Sequence, residues 1–135
     1  MTRPAFEIGI DLVEIRKVRQ VFGENRALQE SVFTPAEMIY SMRQRDPFVH
    51  LAVRFAVKEA LFKALGTGLS GEMDWRDVEI DEESPGRPVV SLQGRTAQGA
   101  REKGIVRCAV SLSCTKNYAT ALVILVAGAA VQDHK

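Results

Sequence analysis

Asp46 followed by Pro47 is a helix-start signal: a capping side chain, then a residue whose missing N–H is harmless in the first turn. The GTG at Gly66 to Gly68 is the matching stop, so the spacing predicts a helix running to about Leu65. Within it Phe48, Ala52, Phe55, Glu59 and Phe62 recur at spacings of three and four, one row of a buried helix with an acid inside it. Burying an isolated carboxylate costs several kcal/mol, so Glu59 must be paired, metal-bound, protonated or less buried than its row implies. Lys63, one turn further on, is the simplest partner. An exposed pair of that spacing contributes only about 0.2–0.5 kcal/mol, too little to justify burying the acid.

The elements on either side place this helix in an α+β chain. Ala5 to Val13 alternates as a strand, with Phe6, Ile8, Ile10 and Leu12 on one side and Glu7, Gly9, Asp11 and Val13 on the other. EIRKVRQVF then carries Ile15, Val18 and Phe22 at helical spacing, with a break at Gly23. Thr34, Pro35 and Glu37 form a second helix start, with an acid three residues after the cap. Beyond the GTG, Trp75 to Asp81 reads as a strand, SPGRP as a turn and VVSLQ as the next strand. A short helix is expected over Arg95 to Lys103, then strands over Arg107 to Ser113 and Ala119 to Val126 joined by CTKNY. This order predicts helices packed on one side of a largely antiparallel sheet. We expect one domain over residues 1–127 and a flexible tail over 128–135.

Composition narrows the function classes. The chain has 135 residues, 46% of them hydrophobic and 26% charged, an ordinary globular balance, and its net charge of +1 makes no case for nucleic acid. Cys108 and Cys114 are too few for a disulfide framework and have no histidine nearby for zinc. Their like parity in one strand suits two core residues. The N-terminus lacks a signal-peptide stretch and the run from Ala121 to Val131 is short for a membrane span, so a cytoplasmic protein is expected.

A second acid gives Glu59 a chemical context. Asp11 stands late in an otherwise apolar strand, and Gly9 on the same face permits close approach of another group. Asp11 read alone begins a turn or caps the next helix. Read with Glu59, it offers a two-carboxylate site for a hard divalent cation, and magnesium accepts such a site because phosphate and water complete its shell. Arg54, Lys58 and Lys63 on the same helix are either a solvated face or phosphate contacts. Gly66 and Gly68 would let backbone pass close to a ligand, although GTG is not a phosphate loop of the nucleotide-hydrolase type.

GIDLVEIRKV, RFAVKEALFKALGTG, GRPVVSLQG and VSLSCTKNYATALVI, in this order and spacing, resemble the holo-acyl-carrier-protein synthase family, the short stand-alone 4'-phosphopantetheinyl transferases. The resemblance covers about residues 6–126. It implies the 4'-phosphopantetheinyl transferase-like fold, and transfer of the 4'-phosphopantetheine arm of coenzyme A to a serine of an acyl carrier protein. It implies release of adenosine 3',5'-bisphosphate, dependence on magnesium, a role in fatty acid or polyketide biosynthesis and assembly as a homotrimer. By the same resemblance Asp11 and Glu59 match the metal-binding carboxylates, and Lys63 the lysine near phosphate or the attacking group. Arg54, Lys58, Gly66 and Gly68 would line the coenzyme A site, Glu14 matches the same pattern as Asp11, and Gly86 with Pro88 matches a G-x-P turn. Arg16, Lys17 and Arg19 are the expected docking cations for the acidic carrier protein, Lys17 standing where the family has an arginine.

The chain departs from the family pattern at Ala109 and Cys114, where members often carry histidines. A thiol with an ordinary pKa near 8.5 is a poorer base at neutral pH than an imidazole near 6.5. Cys114 is thus expected either as part of the catalytic group with Glu59 and Lys63, or as the mark of a redirected relative that binds coenzyme A, a thioester or a carrier protein without transfer.

Overall fold

The structure, a computed structural model, describes residues 5–66, 71, 73–84 and 87–128. Thr67, Gly68, Gly86 and the expected tail beyond 128 lie outside the described residues. In chain order the elements are β1 (Phe6–Glu14), α1 (Ile15–Phe22), α2 (Arg26–Val32), α3 (Pro35–Met42), α4 (Pro47–Leu65), a 3₁₀ turn (Trp75–Asp77), β2 (Val78–Ser84), β3 (Arg87–Leu92), α5 (Gly94–Glu102), β4 (Ile105–Cys114) and β5 (Tyr118–Ala127). The expected α+β class holds, with helices packed against an antiparallel sheet in the order β1–β5–β4 and a separate β2–β3 ribbon.

Capping decides the helix boundaries. Thr34 and Glu37 form the expected capping box at α3, and Asp46 accepts from the Phe48 N–H at the start of α4. Gly66 ends α4 in the left-handed region at φ 78°, where a side chain would be strained. Two local readings are corrected. Residues 75–77 are not strand but a 3₁₀ turn, because Asp74 and Asp77 cap each other's backbone N–H groups and curl the chain before β2 begins. The sequence reading also passed over α2, which Asn25 starts by accepting from the Leu28 N–H.

Alternation in β1 is inverted relative to a simple core strand. Its large apolar residues Phe6, Ile8, Ile10 and Leu12 face outward at 55–64% exposure, whereas the small and polar row of Gly9, Asp11 and Val13 faces α4. The reason is at Gly9. A Cβ there would stand 1.9 Å from the Ala60 carbonyl oxygen and 2.9 Å from the Ala64 nitrogen, so the strand and helix backbones touch. Ala56, Ala60 and Ala64, all buried, keep this side of α4 thin enough for that approach.

The buried charge on α4 is not the expected one. Glu59 is half-buried and forms a mixed row with Phe48 and Phe55, while Leu51, Arg54, Lys58, Leu61 and Leu65 are fully buried. Lys58 Nζ donates to Glu37 Oε1 at 2.9 Å, to the Trp75 carbonyl at 3.1 Å and to the Val78 carbonyl. Arg54 lays its guanidinium over the Tyr40 ring at 4.5 Å and donates to the His50 carbonyl. Among the described residues no helix is long and apolar enough to cross a membrane.

Gly9→Ala tests the backbone contact. Separating strand from helix to admit one methyl group should cost about 3 kcal/mol, lowering the melting temperature by roughly 10 °C in circular dichroism. A change within 2 °C, allowing for scatter of about that size, would mean that the two backbones are not in contact.

Candidate active site

The Gly9 contact brings one strand position and two helix positions together. Asp11 lies two residues along the inner row from Gly9, and Glu59 and Lys63 sit on α4 beside the contacted Ala60 and Ala64. Thr120 Oγ1 donates to the Asp11 carbonyl at 2.8 Å and holds the strand in place from β5. Lys63 Nζ then reaches across the seam, donating to Asp11 Oδ1 at 2.8 Å and to the Ile10 carbonyl at 3.1 Å. Lys63 thus forms its ion pair with Asp11 on the neighbouring strand rather than with Glu59 one turn back.

Glu59 is strongly perturbed. Burial pushes the Glu59 carboxyl up to about 7; hydrogen bonding to Asp11 and the Asp11 charge push the same way, and only Lys63 opposes them. Asp11 Oδ2 is buried and has no hydrogen-bond partner. Two ionised carboxylates have no proton to share, so each raises the cost of the other. Either a proton or a cation at the seam would relieve both. Asp11 also holds the Lys63 ammonium above its ordinary range through their hydrogen bond, and burial offsets this only in part.

An apolar cleft of about 420 Å³ opens next to these groups. Glu59 stands in its wall with Leu12, Val18, Phe22, Phe55 and Trp75, and Lys17 lies at its edge. The Trp75 indole packs on Phe55 at 5.3 Å and edge-on to Phe62 at 5.6 Å, residues on either side of Glu59 along α4. Trp75 and this aromatic wall were missed as site residues in the sequence, because the segment reads as an alternating strand.

The remaining expected positions are elsewhere. Lys58, expected to line the coenzyme A site, is wholly buried among internal acceptors and presents no group to the seam. Arg54, only 2% exposed, points toward Tyr40 and His50. Gly66 caps α4 just beyond Lys63, its N–H donating to the Lys63 carbonyl at 3.0 Å. Gly68 lies outside the described residues. Cys114 is exposed at the end of β4, opposite Ala119, which is itself opposite Val13; its thiol donates to the Thr115 carbonyl at 3.3 Å. Within one chain it stands two strands away from β1 and is not brought to Asp11 or Glu59. Its assumed core companion Cys108 is half-buried, and burial raises that thiol to about 11. The shared parity does not make Cys114 a core residue: β4 is the edge strand, and its last residue is exposed although Ala119 and Val13 beside it on the same face are buried. Arg16 and Lys17 are exposed on α1, while Arg19 pairs with Asp46 at 3.2 Å.

Comparison with known proteins agrees with this geometry. The sequence model of the 4'-phosphopantetheinyl transferase superfamily matches residues 7–123. The holo-[acyl-carrier-protein] synthase of Moorella thermoacetica is 44% identical over 119 residues, 88% of this chain and 92% of that protein. The corresponding protein of Koribacter versatilis is 40% identical, covering 87% of this chain and 94% of that protein. Among solved structures, the synthase of Neisseria meningitidis superposes with a TM-score of 0.79 at 30% identity, covering 88% of this chain and 96% of that one. A Chronobacterium ammoniagenes synthase in complex with coenzyme A superposes with a TM-score of 0.81 at 29% identity, covering 93% and 100%. Sequence and fold similarity along most of both lengths agree on one assignment: the chain belongs to the holo-[acyl-carrier-protein] synthase family of 4'-phosphopantetheinyl transferases.

Proposed function

We propose that this protein transfers the 4'-phosphopantetheine arm of coenzyme A to a serine hydroxyl of an acyl carrier protein. The observation that carries the reading is the meeting of Asp11 and Glu59 beside Lys63, at the wall of an apolar cleft. In the reaction the serine oxygen forms a bond to the phosphorus next to the pantetheine arm. The bond from that phosphorus to the diphosphate bridging oxygen breaks, and adenosine 3',5'-bisphosphate leaves. Negative charge grows on the departing phosphate, so fixed cations beside it supply much of the stabilisation.

Asp11 and Glu59 fit a magnesium ion. Two neighbouring carboxylates, one with an orphaned buried oxygen and the other raised to about 7, would be relieved by a divalent cation beyond what the Lys63 ammonium supplies. Among the described residues no group of three or more acidic, histidine or cysteine side chains is placed to hold a metal, so phosphate and water would have to complete the shell of the ion. When bound, the ion would neutralise the diphosphate. Lys63, its ammonium already at the seam, would bind the phosphate undergoing transfer as a point charge. The serine proton needs an acceptor. His50 lies about 13 Å back along α4 at 1.5 Å per residue and packs edge-on to Tyr40, while Cys114 bonds only its own loop. With Glu59 assigned to the metal, water is the base this reading uses.

Residues 1–127 act as one transferase domain working in the cytoplasm, where free thiols such as Cys108 and Cys114 persist. The carrier protein docks on α1, whose exposed Arg16 and Lys17 face solvent beside the cleft; Arg19, held by Asp46, contributes less. Three copies assemble through the outer sheet face. There Phe6, Ile8, Ile10 and Leu12 are joined on β5 by Leu122, Ile124 and Val126, a contiguous apolar surface that water disfavours. Ala109, opposite Ile124, lies on that same face and would be covered by a neighbouring copy.

Purified protein, magnesium, coenzyme A and apo-carrier protein should yield a carrier heavier by one phosphopantetheine group, read by intact mass. Asp11→Asn and Glu59→Gln should each slow this by roughly a hundredfold or more with melting temperature retained; full rates at limiting magnesium would remove both residues from the site. Because Glu59 is protonated below about 7, magnesium affinity measured by calorimetry should rise with pH to about 7 and then level off. Glu59→Gln should abolish that slope, and a slope that survives the substitution would assign the proton elsewhere. Ile10→Lys, at a position 62% exposed, should convert trimers to folded monomers in light scattering. A parent protein that is already monomeric would refute the assembly.

A further inference from the structure

We propose that Lys58 and Glu37 are positioning residues for the transfer, acting through Trp75; this rests on the transferase reading above. The pair has no contact with the seam, and its side chains are both 0% exposed. Burying two such ions is expensive, and well-packed apolar residues of the same volume would often be as stable or more so. A buried ion pair is therefore a poor source of stability, but it is a directional connector.

The connections are specific. Glu37 Oε1 accepts from the Lys58 ammonium and from the Thr34 N–H at 2.9 Å each, and its Oε2 accepts from the Ile80 N–H at 2.8 Å. Lys58 also donates to the carbonyls of Trp75 and Val78. One buried network thus ties the start of α3, the 3₁₀ turn and the first residues of β2 to the middle of α4, at the residue next to Glu59. Arg76 and Asp77 are tied to Gln93 and Thr96 at the end of β3 and the start of α5, whereas Trp75 itself lies ahead of β2, which starts at Val78. Lys58 is the contact that pins the Trp75 carbonyl to the helix bearing Glu59.

Trp75 is the part of this network that reaches the site. Its ring lies across Phe55 and Phe62, which flank Glu59 on α4, and it forms the cleft wall together with Phe55 and Glu59. Held there, the indole excludes water from one side of the Glu59 carboxylate and fixes the width of the cleft through which an acceptor approaches. Released, it leaves Glu59 to sample other rotamers, and small misplacement of a reacting geometry is costly in rate. Lys58 and Glu37 thereby set the rate without touching substrate.

A thermodynamic cycle tests this. Trp75→Ala should lower kcat by about tenfold, with KM for coenzyme A within twofold and the fold intact, because Trp75 is only half-buried. The double variant Lys58→Met with Glu37→Gln avoids leaving an unpaired buried charge and should lower kcat by a similar factor. It should also make the single tryptophan more accessible to acrylamide quenching. If both act through the indole, combining them should cost little beyond either alone, whereas independent effects would multiply to about a hundredfold. Multiplied losses, or unchanged quenching in the double variant, would overturn the proposal. Should the double variant fail to fold, Trp75→Ala still decides: a parental kcat in that variant would overturn it. Absence of transfer in the parent protein would instead count against the transferase reading, so the two failures are distinguishable.

Discussion

The contact on which the rest depends is backbone against backbone at Gly9. A helix normally packs on a sheet through side chains, with axes about 10 Å from the strands. Here a missing Cβ on β1 and three alanines on α4 remove that layer, and the Ala60 carbonyl lies where a Gly9 side chain would be. The functional groups follow from that proximity. Asp11 is short and rooted in a strand, and Glu59 and Lys63 are rooted one turn apart on the helix. Only at such a separation can Lys63 reach both Asp11 and the Ile10 carbonyl. The same approach crowds the two acids, which is why burial and Asp11 together raise Glu59 to about 7.

A crowded acid pair would be a liability in an inert protein. The fold tolerates it because Lys63 neutralises one member and because Glu59 can take up a proton at modest cost near neutral pH. Those two compensations are also what a cation-binding site for phosphate chemistry needs. In the proposed reaction the lysine would turn from carboxylate to phosphate, and the acid would exchange its proton for a metal. Stability and chemistry therefore draw on one arrangement, with the uncompensated remainder confined to Asp11 Oδ2.

How far the sequence could be read depends on whether the signal was local. Caps at Thr34 and Asp46, the Gly66 stop and the β4–β5 hairpin were legible because each is decided within a few residues. The pairing of Asp11 with Glu59 was legible only through Gly9 and the family resemblance. The burial of Lys58 was not. A lysine one residue from an acid reads as solvated, and its partners Glu37, Trp75 and Val78 come from three other segments. The 3₁₀ turn was hidden for a related reason, since alternating residue types do not report that Asp74 and Asp77 cap one another. The Asn25 cap of α2, by contrast, was a local signal that could have been used.

The departures at Ala109 and Cys114 fall in two different settings of the sheet. Five residues apart, these positions fall on opposite faces of β4. Ala109 belongs with Ile8 and Ile124 on the apolar outer face, where a small apolar residue suits its neighbours better than an imidazole would. Cys114 lies at the exposed end of the edge strand and cannot reach the acids of its own chain, so its thiol bears on the reaction only if assembly carries it to a neighbour's seam. Within one chain neither position belongs to the Asp11–Glu59–Lys63 seam. Under the proposed transfer a base other than histidine is needed, while Asp11, Glu59 and Lys63 remain the residues proposed to hold the charge of the diphosphate.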